Sequence, residues 1–259
     1  MKIVMESLTC GYNMQSPVLS DINLEFDTED GLICIIGPNG VGKSTLIRCI
    51  DNLIPPLKGR VTLDGVDVRD IERKELASKI GYVQTISAVQ SSVTVFEAIM
   101  MGRYNHMRWK VGTQDLQIID KAISIMGLES LSNKPVNELS AGQYQKVMIA
   151  RGLVQDTEIL ILDEPTSNLD IRAQMFVASL LKEMAHREHK LVIMICHDVN
   201  IASKTADKIL MLTRPGKVLA FGIPKDVITE DNIKQAYRIG CDITEHEGRP
   251  SIMIRSDSI

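Results

Sequence analysis

The sequence predicts an α/β protein whose mostly parallel sheet carries an N-terminal antiparallel β portion and is interrupted by an inserted α-helical lobe. Two observations predict this. Short, wholly apolar runs such as Leu32–Ile36 and Ile159–Leu162 each lead towards a stretch of helical periodicity, as strands covered on both faces do. Between residues 87 and 155 the alternation gives way to successive helical patterns, and afterwards it resumes.

Taken in order, residues 3–8 and 22–26 alternate apolar and polar as half-buried strands. Leu32–Ile36 ends at Gly37, and a helix is expected from residue 43 to about 52, stopped by Pro55-Pro56. Residues 61–66 read as a hairpin turned at Asp64-Gly65, and Ile80–Val83 as another strand. Thr94-Val95-Phe96-Glu97 is a capping box, in which Thr94 and Glu97 each satisfy a backbone donor at a helix start. Amphipathic helices follow over Thr113–Met126 and 141–155. Strands at Ile159–Leu162, 191–196, 209–212 and 218–221 then alternate with helices over 171–186 and 199–206. No repeat, low-complexity tract or Gly/Ser-rich linker intervenes. The expected organisation is one domain over 1–245, with a core of 1–86 and 156–245, a helical subdomain 87–155 inserted in it, and a short tail 246–259.

Composition narrows the function. The 259 residues are 44% hydrophobic and 24% charged, as in a globular protein with a sizeable core. A net charge of −4 gives no broad basic surface, so no nucleic-acid partner is expected. The five cysteines are widely spaced without a CxxC pair, and several sit in apolar runs where the thiol acts as a small hydrophobe. No run approaches eighteen apolar residues and no signal-peptide pattern opens the chain. A cytoplasmic protein that reaches a membrane through a partner is expected.

Gly37-Pro38-Asn39-Gly40-Val41-Gly42-Lys43-Ser44 has the spacing GxxxxGK[ST] and lies between a buried strand and a helix. Its glycines let backbone N–H groups turn inward towards phosphate oxygens, and the helix N-terminus adds partial positive charge. Lys43 would reach the β- and γ-phosphates and the Ser44 hydroxyl would hold Mg²⁺, with Thr45 opening the helix beside them. A nucleoside triphosphate is the ligand this chemistry fits. Far along the chain, Ile159–Leu162 ends in Asp163-Glu164. Carboxylates at the C-terminal end of a strand face the crevice in which α/β sheets bind ligands. Asp163 is placed for the Mg²⁺ shell and Glu164 to orient or deprotonate an attacking water. His197 ends the next strand on the same sheet edge, within reach of a γ-phosphate or that water. His106, His186, His189 and His246 have no such placement and are expected as solvated surface.

Residues 138–147 read ELSAGQYQKV, in which Ser140 and Gln143 form a second capping box before an apolar helical run. Together, GPNGVGKST, LSAGQ, ILILDEP, TSNLD and CHD stand in the order found in ABC-type ATP-binding subunits, and the chain resembles that family over nearly its whole length. The resemblance implies a P-loop NTPase (RecA-like) core and a Mg-dependent ATPase. It also implies that Leu139, Ser140, Ala141, Gly142 and Gln143 serve the nucleotide of a second copy docked head to tail. In that arrangement the Ser140 hydroxyl and the Gly142 N–H complete the partner's γ-phosphate site. Asp170 matches the loop lining the dimer seam, and Tyr12 the aromatic that stacks on adenine. The family's double glycine is Ala141-Gly142 here, and alanine is small enough to keep the approach. Its glutamine beyond the strand that enters the helical lobe falls on Gln84 or on Thr85, depending on register, with Gln84 the favoured contact to metal and γ-phosphate.

Leu63-Asp64-Gly65, Met101-Gly102-Arg103-Tyr104-Asn105-His106 and the C-terminal EHEGRPSIMI look like ATP subunits of importers for iron–siderophore complexes, haem or cobalamin. Zinc and manganese importers share part of this pattern. The resemblance implies a homodimer on the inner face of the membrane, two integral membrane permease subunits and an extracytoplasmic binding protein that meets the permease. The rival is a non-transport ABC ATPase acting in DNA repair or on ribosomes. Against it stand the short span between cradle and LSAGQ, the single ATPase half and the acidic balance.

Overall fold

The run Leu32-Ile33-Cys34-Ile35-Ile36 is fully buried, and alternate side chains enter two different apolar layers: Leu32, Cys34 and Ile36 one, Ile33 and Ile35 the other. A strand with period two can do this only between two covered faces. The computed structural model describes residues 1–84, 92–106 and 111–255. Its chain begins β1 (Lys2–Cys10), β2 (Leu19–Asp27), β3 (Leu32–Ile36), α1 (Lys43–Ile50), β4 (Lys58–Leu63), β5 (Val66–Asp67), α2 (Arg73–Lys79) and β6 (Ile80–Val83). The helices α3 (Val95–Met100), α4 (Thr113–Met126) and α5 (Ala141–Leu153) follow. Then come β7 (Ile159–Leu162), α6 (Ile171–Arg187), β8 (Leu191–Ile195), α7 (Val199–Thr205), β9 (Lys208–Thr213) and β10 (Lys217–Gly222). The chain closes with α8 (Pro224–Val227), α9 (Glu230–Tyr237), β11 (Cys241–His246) and β12 (Arg249–Ile254).

The main sheet has the order β10-β9-β3-β8-β7-β6, parallel except for β10. A second, antiparallel sheet has the order β2-β1-β4-β5, turned at Asp64 and Gly65, which both hold positive φ. One face of the main sheet packs with that sheet and with α1, through Leu46, Ile47 and Ile50. The other packs against α5, α6 and α7, through Val147, Ile149, Val177, Leu181 and Ala202. Each buried aliphatic side chain contributes about 1.5–3 kcal/mol. This double coverage also sets the C-terminal ends of β3, β6, β7 and β8 along one edge, where the motif residues emerge.

α3, α4 and α5 pack on one another, and α5 reaches β6. The Thr94 capping box forms: Thr94 Oγ1 accepts from Glu97 N at 3.2 Å and Glu97 Oε2 from Thr94 N at 2.8 Å. Buried Arg103 pins the block, pairing with Asp115 at 2.9 Å and donating to the Val154 carbonyl at 3.0 Å.

Several elements depart from the sequence expectation. α2, α8 and α9 were not expected; each is short and buries only one or two side chains. Residue 246, where the short tail is expected to start, is the last residue of β11, in a hairpin with β12. That hairpin docks on α7, where Ser203 Oγ donates to the Pro250 carbonyl and Asn200 exchanges two hydrogen bonds with Ile252. The four histidines expected as solvated surface are exposed, and two of them have partners there. His186 Nε2 is 2.8 Å from Asp207 Oδ2, and His106 Nε2 is 2.7 Å from the Gln155 carbonyl oxygen. Among the described residues no helix is long and apolar enough to cross a membrane.

Candidate functional site

The loop from Gly37 to Gly42 joins β3 to α1 and needs glycine for space as well as for conformation. At Gly37 (φ 144°) a Cβ would lie 2.5 Å from the Leu212 carbonyl oxygen, and at Gly42 (φ 110°) 2.8 Å from Leu19 and Val18. Gly42 is also the N-cap of α1 and offers no side-chain acceptor, so the first-turn N–H groups keep their capacity for an anion. Val41 and Thr45 anchor the loop from below as buried residues, while Asn39 and Gly40 are exposed at its tip.

Lys43 lies beneath this arch. Its Nζ donates to the carbonyl oxygens of Gly37 at 2.8 Å and Pro38 at 3.2 Å, so the ammonium is held inside the loop. Burial lowers its pKa from the ordinary lysine value, and the nearby Glu164 and Asp163 carboxylates oppose the shift.

Asp163 extends the ladder beyond β7, its N–H donating to the Val83 carbonyl at 2.8 Å. Its side chain is buried and gathers three elements. Ser44 Oγ donates to Oδ1 at 2.8 Å, Tyr82 OH donates to Oδ2 at 3.3 Å, and the Arg48 guanidinium lies 3.7 Å from Oδ2. Burial pushes the Tyr82 phenol up to about 12, so it stays a proton donor. Arg48 Nη1 also donates to Tyr12 OH at 3.3 Å, which tethers that hydroxyl while the ring remains 69% exposed. The set is a hydroxyl and a carboxylate, both hard oxygen donors, beside a phosphate cradle; that suits Mg²⁺, which completes its shell with phosphate and water. No group of three or more His, Cys, Asp or Glu suited to a metal occurs among the described residues.

Glu164 takes a left-handed φ of 51°, and its Oε1 is 2.7 Å from His197 Nε2. The two meet because β7 and β8 are adjacent and in register, Leu162 opposite Met194, so both ends project from one edge. A carboxylate with an imidazole at hydrogen-bond distance is an acid–base pair. Gln84 is exposed immediately after β6, whose Val83 pairs with Leu162, and so stands beside Asp163 on the same edge. Thr85 lies outside the described residues.

The Ser140 segment opens α5. The capping box closes, with Ser140 Oγ accepting from Gln143 N at 3.3 Å and Gln143 Oε1 from Ser140 N at 3.0 Å. Leu139, Ala141 and Gly142 surround it, and a Cβ on Gly142 would come 3.1 Å from the Asn168 carbonyl oxygen. Asp170 caps α6, its Oδ1 accepting from Ala173 N at 2.8 Å. Sequence reasoning missed Arg48, Tyr82 and Gln145. Gln145 is 2% exposed and donates from Nε2 to the Pro165 carbonyl at 3.1 Å. Arg48 carried no signal beyond one polar position in a helix, and Gln145 lay unremarked two residues past LSAGQ.

A glycine-lined loop between a buried strand and a helix, with Asp and Glu at the end of a second strand of that sheet, defines a P-loop ATPase. Residues 19–167 match the ABC transporter family. The chain is 38% identical over 232 residues to an ABC transporter ATP-binding protein of Methanocaldococcus jannaschii, covering 89% of this chain and 90% of the relative. It is 36% identical over 245 residues to the ferric enterobactin transport ATP-binding protein FepC of Escherichia coli, covering 93% and 88%. The fold superposes on a dimeric bacterial ABC transporter cassette with a TM-score of 0.76 at 28% identity, covering 85% of this chain and 98% of that one. The chain belongs to the ABC transporter family, as an ATP-binding subunit.

Proposed function

We propose that this ATPase powers import of an iron–siderophore, haem or cobalamin-type substrate through membrane permease subunits. It works as a homodimer held peripherally at the inner face of the cell membrane, with an extracytoplasmic binding protein feeding the permease. The similarity to a ferric enterobactin transport subunit over most of both chains supports the cargo class, and the dimeric cassette supports the pairing. The organisation proposed is an ATPase domain over 1–245, built from a core of 1–86 and 156–245 with the helical subdomain 87–155, followed by the segment 246–259. A groove of about 450 Å³ where α1, α2, β6 and α5 converge, flanked by exposed Met101 and Tyr104, suits the permease.

The observation that carries the chemistry is the line Ser44–Asp163 and Glu164–His197 across the mouth of the cradle. Backbone N–H groups of the loop and the N-terminus of α1 bind the phosphates, with Lys43 turning from its carbonyl acceptors to the β- and γ-oxygens. Ser44 and Asp163, with Gln84 beside them, would hold Mg²⁺, which when bound neutralises charge on the transferring phosphoryl. Glu164 accepts a proton from the attacking water, and His197 orients the carboxylate. Tyr12 stacks on the base. Ser140 and the Gly142 N–H, with Asp170 at the seam, close the γ-phosphate site of the partner copy. Glu164→Gln keeps shape and removes the base. Turnover should fall about 10²–10⁴-fold with ATP binding retained, and near-normal steady-state hydrolysis overturns the assignment.

A further inference from the structure

Behind Glu164, three successive carbonyls are each held by a side chain from a different place. Ser167 Oγ donates to the Glu164 carbonyl at 3.1 Å, Gln145 Nε2 to that of Pro165 at 3.1 Å, and Gln174 Nε2 to that of Thr166 at 3.1 Å. Ser167 belongs to the same turn and Gln174 to the first turns of α6. Gln145 alone of the three comes from α5, the helix that Ser140 caps.

Two features set this bond apart from ordinary core packing. Gln145 is 2% exposed, a position where an apolar side chain would fill the space and where an amide is costly unless bonded. The carbonyl it holds follows directly on Glu164, whose left-handed φ of 51° is a conformation that a non-glycine residue keeps only when its surroundings impose it. The Pro165 carbonyl belongs to the next peptide along, so its release loosens the turn that follows Glu164 and, through it, the backbone from which the carboxylate reaches His197.

We propose that Gln145 is a positioning residue for ATP hydrolysis: by holding the Pro165 carbonyl it fixes the backbone that presents Glu164, and it couples that acid to the helix carrying Ser140. This rests on the reading of Glu164 as the base. A cassette built this way senses seating of α5 on a partner through the backbone of its own catalytic acid.

The test uses the full chain and compares Gln145→Met, of similar size without a donor, and Gln145→Asn, polar but one methylene too short. Each is made alone and with Glu164→Gln. The single variants should lose about 10- to 100-fold in kcat, the scale of an ångström-level misplacement, with KM for ATP held within about twofold. In the Glu164→Gln background, single-turnover rates should fall no further, since the residue Gln145 acts through is already disabled. An unchanged kcat in either single variant overturns the proposal, as does an equal loss in both backgrounds. If Gln145→Met does not fold, Gln145→Asn decides by the same two readouts. Near-normal turnover by Glu164→Gln alone overturns the base assignment, and this proposal falls with it; loss in that variant with full activity in both Gln145 variants overturns only the proposal.

Discussion

Asp51 follows directly on the C-terminal end of α1, where the helix dipole is negative, and it faces the groove together with Arg73 and Tyr82. Burial pushes its carboxyl up to about 7, against the pull of Arg73. The folded-state value is raised, so between the ordinary aspartate value and about pH 7 the folded chain binds a proton that the unfolded chain has released. Stability therefore falls as pH rises through that window, and the penalty is complete above it. Asp51→Asn should raise stability at about pH 8 by about 1–3 kcal/mol and leave it nearly unchanged at about pH 4, read from denaturant midpoints. The same gain at both pH values would refute the cause given. At this scale the sequence was legible where function fixes spacing: Lys43, Ser44, Asp163, Glu164 and His197 converge as the motifs imply. Arg48, Tyr82 and Gln145 were not, because what defines them is a partner more than 19 residues away, and no local pattern encodes that partner.

Among the elements, the start of α5 bears two loads. Its capping box stabilises the helix within one chain, and its Ser140 and Gly142 face the partner in the proposed dimer. The loads separate by magnitude. Loss of an N-cap costs about 1 kcal/mol, whereas a guanidinium driven into a closed seam blocks association. Ser140→Arg should keep a folded monomer that binds ATP, yet show no ATP-dependent dimer on gel filtration in the Glu164→Gln background; a dimer peak equal to that of the parent would refute the trans contact. Wholly apolar runs and long amphipathic stretches were legible, with β3, β6, α4 and β7 matching their expected bounds. Short helices with little buried surface were not. α2 buries only Leu76, and α9 only Ile233 and Ala236, too little apolar surface to stand out from a loop. The terminal hairpin turns at Glu247-Gly248, without the Asn-Gly or Asp-Gly that marks such turns in a sequence.

For the molecule as a whole, the layers separate the two parts of the shared site proposed above. The sheet edge collects the cradle, Asp163, Glu164 and His197, while Ser140 caps a helix packed beside α3 and α4. Turnover per molecule should therefore rise with protein concentration and saturate as the dimer forms, with ATP binding to dilute protein retained. Turnover per molecule that stays constant from dilute to concentrated samples, with the dilute form shown to be monomeric by light scattering, would refute a shared site. The two-sided burial of the main sheet was legible from its apolar runs, and the docking of the terminal hairpin on α7 was not, since Ser203, Asn200 and Arg249 find their partners 43 to 52 residues away along the chain.

α1 has one more consequence. It runs unbroken from Lys43, inside the phosphate arch, to Ile50, one residue short of the groove floor at Asp51. Eight residues of α-helix make a rod roughly 12 Å long, and Leu46, Ile47 and Ile50 seat it in the core. The groove and the phosphate arch are therefore the two ends of one short, firmly bedded element, so whatever fills one sits a fixed distance from whatever fills the other.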